Sequence, residues 1–310
     1  LSYLYAKEEF AEQIHQHMDT VKKLFGVKPT VFRNTELVYR NDVGEFIRQM
    51  GFKGMVCEGW DRYLHGSSPH HVRSAQPTEL HQEDEKVAAK YAVSKRPAKS
   101  LPLLLKSYQL SDDVAFRFSN KGWTDWPLTT EKYAEWLGIA SGETINLFMD
   151  YETFGEHQWE DTGIFHFMEK LPEVLKHHNI GFRTPSETIK HCEQHGVYDV
   201  PHFLSWADME RDLSAWLEND LQHSALEEIA RVEGLLHPHK HKKDAHIQQL
   251  VYDFRKLQTS DHLYYMCTKY WSDGDVHKYF SPYDSPYEAY ICFMNAMRVL
   301  QSKVKALSDK

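Results

Sequence analysis

The rhythm of hydrophobic positions changes near residue 205, where short apolar runs alternating with amphipathic stretches give way to long helical periodicity. Residues 7–25, KEEFAEQIHQHMDTVKKLF, carry their apolar positions on one helical face, and Gly26 closes the element. Pro29 opens the extended segment TVFRN, and a helix over 41–50, closed by Gly51, leads into the strand-length run GMVCEG. LPLLLKSY, VAFRF and INLFMD read as further strands. Between and after them come a helix from Thr129 to Leu137 capped by Thr129 or Thr130, one over 163–177, the segment IGFRT, and a helix capped near Pro185 and Ser186. Strands alternating with helices predict parallel βα units, and continuous apolar strands predict a sheet covered on both faces.

Beyond residue 205 three helical stripes stand out. They comprise Leu213, Trp216, Leu217, Leu221, Leu226 and Ile229; Ile247, Leu250, Val251, Phe254 and Leu257; and Tyr287, Tyr290, Ile291, Met294, Met297 and Val304. Together they predict a C-terminal helical bundle. Residues 65–98 are polar and rich in Pro and Ser, and read as a long excursion. The histidine-rich stretch HPHKHKKDAH, 237–246, reads as a solvated linker in preference to a metal site, and SDGDVH, 272–277, reads as a turn because it lacks spaced calcium ligands.

Composition narrows the class. With 310 residues, 41% of them hydrophobic and 13% aromatic, the chain lies well outside the disordered range. A net charge of -9 argues against nucleic acid as a partner, and no apolar run approaches the roughly 20 residues that span a bilayer. The four cysteines, Cys57, Cys192, Cys267 and Cys292, form no C-x-x-C pair, which fits a reduced, cytoplasmic protein. The chain begins at Leu1 without the regions of a signal peptide. Oligomeric state is not legible.

Glu36 follows TVFRN and Asp150 closes INLFMD, so both sit where a parallel βα barrel carries its chemistry, at the carboxyl ends of strands. Two facing carboxylates are the working parts of most glycosidases, and aromatic side chains pack on the apolar faces of sugar rings. Trp159, Trp206 and Trp216 are the nearest such residues. A purely structural role, in which these acids cap helices or pair with Arg33 or Arg117, fits the spacing equally well.

The motifs VFRNTELVYRND, MDYETFGEHQW and HFLSWADMERDLSAWLEND, in that order, resemble the third, fourth and fifth motifs of glycoside hydrolase family 57, the α-amylase group; LQTSDHLYYMCTKYW and SPYDSPYEAY are similar to it as well. The resemblance implies an α/β fold, an incomplete (β/α)7 barrel over residues 1–204 followed by a helical bundle over 205–310. It places the nucleophile on Glu36 and the general acid/base on Asp150, in a retaining hydrolase of α-1,4-glucans such as starch, glycogen or maltooligosaccharides. Arg33, Glu152, His157, Trp159, Trp206, Asp208, Asp261 and His262 are the candidate substrate-binding residues, with Arg33 or another cation expected beside Glu36, Trp206 as a sugar platform, Asp208 and Arg211 either binding hydroxyls or forming a structural ion pair, and Trp216 in the core. No cofactor and no metal are implied. The family's first motif, His-Gln-Pro on a first strand, is absent, since HQH at 15–17 lies inside a helix, which predicts a chain truncated at its N-terminus. A 4-α-glucanotransferase or branching enzyme on the same two residues, or a non-catalytic glucan-binding protein, are the alternatives.

Overall fold

The computed structural model describes residues 1–94, 96–269 and 281–307; SDGDVH at 272–277 lies outside them. Helix α1, Lys7–Phe25, forms as its pattern predicts and buries Phe10, Ile14 and Met18, each four apart. β1 (Val31–Arg33), α2 (Asn41–Gln49) and β2 (Gly54–Glu58) follow in the expected order. Gly26 and Gly51 end the two helices at φ 73° and 88°, left-handed values that glycine adopts without a Cβ clash. Next come β3 (Val72–Ala75), α3 (Gln82–Lys90), β4 (Pro102–Lys106), α4 (Thr130–Ile139), α5 (Ile164–His177), α6 (Pro185–His191) and β5 (Gln194–Tyr198). Thr129 caps α4 by accepting from the Lys132 amide, and Thr184 caps α6 with Pro185 at its first position.

Among the described residues the strands form one mixed sheet in the order β1-β2-β4-β3-β5. β1, β2 and β4 run parallel, and every residue of β2 and β4 is buried, as continuous apolar strands covered on both faces must be. β3 runs antiparallel to β4 and parallel to β5, which departs from the all-parallel expectation.

Several expected elements differ. The excursion over 65–98 contains β3 and α3. VAFRF is not a strand: Asp113–Arg117 is a π-helical turn continuing the helix Tyr108–Asp112. It buries Val114, Ala115 and Phe118 while Phe116 stays 58% exposed, a helical spacing that a five-residue apolar run cannot reveal by itself. INLFMD is a half-buried extended segment that bridges Lys106 only at Asn146. Beyond that point β4 has turned into a helix, so no strand remains to pair with it. IGFRT is unpaired as well, and Phe182 is exposed.

The chain divides into two compact units. One is Val21–Trp206; the other joins Leu1–Thr20 to the residues from Ala207 onward, so the first twenty residues group with the C-terminal helices instead of with the sheet. That second unit is built on α7 (Asp220–Leu236), α8 (Ala245–Leu257) and α9 (Pro286–Lys305). Its core includes Trp216, Ile229, Val232, Leu250, Phe254, Phe293, Met297 and Val304. The third stripe is rotated from expectation, because Ala289, Phe293, Met297, Leu300 and Val304 satisfy the same spacing and Ala289 permits close approach. Tyr287 and Ile291 are exposed. The histidine-rich linker is not fully solvated: Lys240 is buried, with Glu9, Glu12 and Glu233 within 3.6, 3.2 and 3.7 Å of its ammonium. No described helix is long and apolar enough to cross a membrane.

Met297→Ala, at a fully buried position, should destabilise the protein by about 2–5 kcal/mol, whereas Tyr287→Ala should change stability by no more than about 0.5 kcal/mol. Urea denaturation followed by circular dichroism measures both.

Candidate active site

The chain leaves β1 through Asn34, whose Oδ1 accepts from the Thr35 amide and whose Nδ2 donates to the Val38 carbonyl, closing a tight turn. Inside it Glu36 and Leu37 take φ 54° and 50°, a left-handed conformation that costs a non-glycine residue about 1–2 kcal/mol. Two features hold it there. Leu37 is fully buried, and residues 199–206 lie antiparallel to the turn, with Tyr39 and Leu204 exchanging both main-chain bonds at 2.8 Å. The same register brings the Trp206 amide to the Glu36 carbonyl at 3.2 Å and the Ser205 hydroxyl to it at 2.9 Å. The indole then reaches the carboxylate: Trp206 Nε1 donates to Glu36 Oε2 at 2.8 Å.

Asp150 arrives from the other side. Its segment lies beside the end of β4, where the Ser107 amide donates to the Asn146 carbonyl at 2.9 Å and Asn146 Nδ2 donates to the Leu105 carbonyl at 3.0 Å. Asp150 itself is exposed, with its Oδ1 3.6 Å from Arg33 Nη2. The same guanidinium lies 4.9 Å from the Trp206 ring. Glu36, Trp206, Arg33 and Asp150 therefore form one connected chain of contacts at the carboxyl end of the sheet. Arg33, expected beside Glu36, pairs with Asp150 and shares the Trp206 side chain with Glu36.

Lys106, which sequence reading passed over, closes the arrangement from below. Its ammonium lies 4.9 Å from the Trp206 ring, 3.1 Å from Asp112 Oδ1 and 3.9 Å from Glu58 Oε2. The Lys106 side chain is 7% exposed and that of Glu58 0%, so these charges must satisfy one another. Glu58 also accepts from the Gly59 amide at 2.8 Å. A lysine ending an otherwise apolar strand, LPLLLK, was the available signal.

The remaining expected residues divide by unit. Glu152 does not continue a strand from Asp150, since Tyr151–Thr153 is a 3-10 turn; it faces His157 at 3.5 Å, and the loop closes through His157 and Glu156 amides on the Glu152 carbonyl. His157 also lies 5.8 Å from the Phe116 ring. Trp159 is 58% exposed, and Tyr151, directly after Asp150, is 98% exposed. Arg117 pairs with Asp113 at 2.7 Å. Asp208, Asp261 and His262 belong to the other unit. Asp208, at φ 54°, faces Lys269 at 3.2 Å in a largely buried ion pair, Asp261 starts a short helix, and His262 packs on the Phe293 ring at 5.4 Å. Trp216 is core, as expected. Among the described residues the metal-capable donor sets are His71, Glu143 and His195, and Glu8, Glu12 and His241; neither includes Glu36 or Asp150.

The family model described as glycosyl hydrolase family 57 matches residues 1–201. The chain belongs to that family. It is also 38% identical over 309 residues to a protein of Methanocaldococcus jannaschii named "Putative alpha-amylase", a match that covers 98% of this chain and 62% of that protein. This family 57 chain thus spans less than two thirds of that relative's length.

Lys106→Met should destabilise the protein by about 3–5 kcal/mol, because it removes a buried cation that faces both Glu58 and Asp112; a thermal or urea melt measures this. Burial lowers the pKa of His262 below its ordinary 6.5. Its contribution to stability is therefore present above pH 6.5 and is lost as pH falls through the lower folded value, so His262→Gln should reduce the drop in melting temperature between pH 7 and pH 5.

Proposed function

We propose that this chain carries the catalytic pair of a retaining glycoside hydrolase acting on α-1,4-glucans, with Glu36 as nucleophile and Asp150 as general acid/base. The α/β unit is read as part of an incomplete (β/α)7 barrel and the later helices as its bundle. Membership of family 57 and the name of the relative support the substrate class. The observation that carries the assignment is the Glu36 turn, a left-handed backbone held under strain so that its carboxylate meets an indole N–H at 2.8 Å, with Asp150 linked to the same indole through Arg33. Strain that the surroundings hold in place is characteristic of catalytic positions.

In the first step the Glu36 carboxylate, held by the Trp206 indole at Oε2, attacks the anomeric carbon. The glycosidic C–O bond breaks, and Asp150 gives its proton to the departing oxygen. In the second, water attacks the glycosyl ester and Asp150 takes the proton back, so both atoms and charge balance. Carboxyl groups about 5–5.5 Å apart suit this double displacement. The Arg33–Asp150 pair is about half exposed on each side, and such a pair is weak enough to open when Asp150 takes up its proton. Tyr151, next to Asp150 in the chain, and Trp159, further along the same loop, offer exposed aromatic faces for the apolar face of a sugar.

Glu36→Gln and Asp150→Asn should each lower turnover of maltooligosaccharides by about 10² to 10⁴, and a loss of only a few-fold in either would overturn the assignment. New reducing ends are the expected product signal; redistribution of chain lengths without them would point to transfer. Trp206→Phe keeps the ring but removes the N–H, and should cost about tenfold to a hundredfold in kcat/KM.

A further inference from the structure

We infer that His71, Glu143 and His195 form a binding site for a divalent transition metal, with Zn²⁺ the best-matched ion. The inference does not depend on the catalytic roles proposed above. The three side chains offer two imidazole nitrogens and a carboxylate oxygen, all within 4.8 Å of one another. His195 Nε2 lies 3.2 Å from Glu143 Oε2, and the rings of His71 and His195 are 4.7 Å apart. Two imidazoles with one carboxylate are a zinc donor set that leaves a further position for water, whereas calcium and magnesium prefer all-oxygen shells.

Three separate segments bring these groups together, and each is fixed by its main chain. His71 immediately precedes β3 and His195 lies on β5, whose parallel register pairs Val72 with Gln194. That register breaks between Val72 and Ser74, and Gly196 takes φ 74° there. Arg73 secures the irregular stretch by donating from Nη1 to the His195 carbonyl at 2.6 Å and from Nη2 to the Ser68 carbonyl at 3.0 Å. Its guanidinium is thus aimed at main-chain oxygens. Glu143 is held by its own amide, which donates to the His70 carbonyl at 3.0 Å, with the Thr144 amide joining at 3.2 Å. Gly142 lies so close to His70 that an added Cβ would stand 2.3 Å from that carbonyl oxygen. The donors are therefore organised before any ion arrives.

An independent observation points to a ligand. Nδ1 of His71 is buried and finds no hydrogen-bond partner among the described residues. Buried polar nitrogens are ordinarily satisfied, and an imidazole left this way marks a site short of a partner. The other donor set, Glu8, Glu12 and His241, lacks this character. Glu12 is already engaged by Lys240 at 3.2 Å and by Arg255 at 2.8 Å, so local cations neutralise the carboxylate a metal would need.

An ion at this site would tie β3 and β5 to the loop that runs from Glu143 to Asn146. The test uses the full chain stripped of metal with a chelator and titrated with ZnCl₂ by calorimetry, alongside His195→Ala, Glu143→Gln, His71→Ala and the control His241→Ala. One Zn²⁺ should bind per chain, and each of the first three substitutions should weaken binding at least tenfold while His241→Ala leaves it unchanged. His195 and Glu143 are exposed, so their variants should keep the wild-type circular dichroism. Excess Zn²⁺ should raise the melting temperature of the wild type but not of Glu143→Gln. Binding of equal strength in His195→Ala and Glu143→Gln, loss of binding in His241→Ala, or no saturable site in the wild type would each overturn the proposal.

Discussion

The hydrogen bond from the Trp206 indole to the Glu36 carboxylate is the contact on which the candidate site depends. It joins two parts of the chain 170 residues apart, and it exists only because residues 199–206 run antiparallel to the turn after β1. The turn in turn needs that neighbour. Left-handed backbone at two successive non-glycine residues is unfavourable alone, and the carbonyl of Glu36 meets both the Trp206 amide and the Ser205 hydroxyl. Position, strain and carboxylate orientation are consequences of one register.

Beneath the indole lies a second constraint. Lys106 ends β4 in a buried position, between Glu58 at the end of β2, Asp112, and the Trp206 ring. Charges this well shielded from water are costly unless paired, so the carboxyl ends of β2 and β4 and the helix that follows β4 must keep their relative geometry. Tyr198 adds to this by donating to the Glu58 carbonyl and accepting from the Trp60 amide, which ties the end of β5 to the end of β2. The surface above is soft by comparison. The Arg33–Asp150 pair is half exposed, and the loop from Glu152 to His157 closes mainly on itself. The Glu36 carboxylate is thus anchored and that of Asp150 exposed, an arrangement that suits the roles proposed for them.

Legibility in the sequence followed burial. α1, α2, β2, β4 and α4 could be read because their apolar spacing serves a single covering surface, and glycines or threonines mark their ends. β3 and β5 could not. Gln194–Val197 is exposed with only Tyr198 buried, so β5 has no alternation to detect, and β3 sits in a polar stretch. VAFRF misled for the opposite reason, since a short apolar run serves a helical turn as well as a strand. INLFMD has strand composition but only one residue with a strand beside it.

The sequence by itself determined the identities and order of the chemical groups, the apolar faces that require cover, and the end of β1 after which Glu36 falls. Local periodicity and composition carry that information because each residue's burial preference is its own property. Only the tertiary structure decided which groups meet. It paired Arg33 with Asp150, turned Trp206 toward Glu36, buried Lys106 with Glu58, paired Asp208 with Lys269, and drew His71, Glu143 and His195 together. Such partnerships depend on register and on chain reversal between distant segments, and no single residue's preference encodes them.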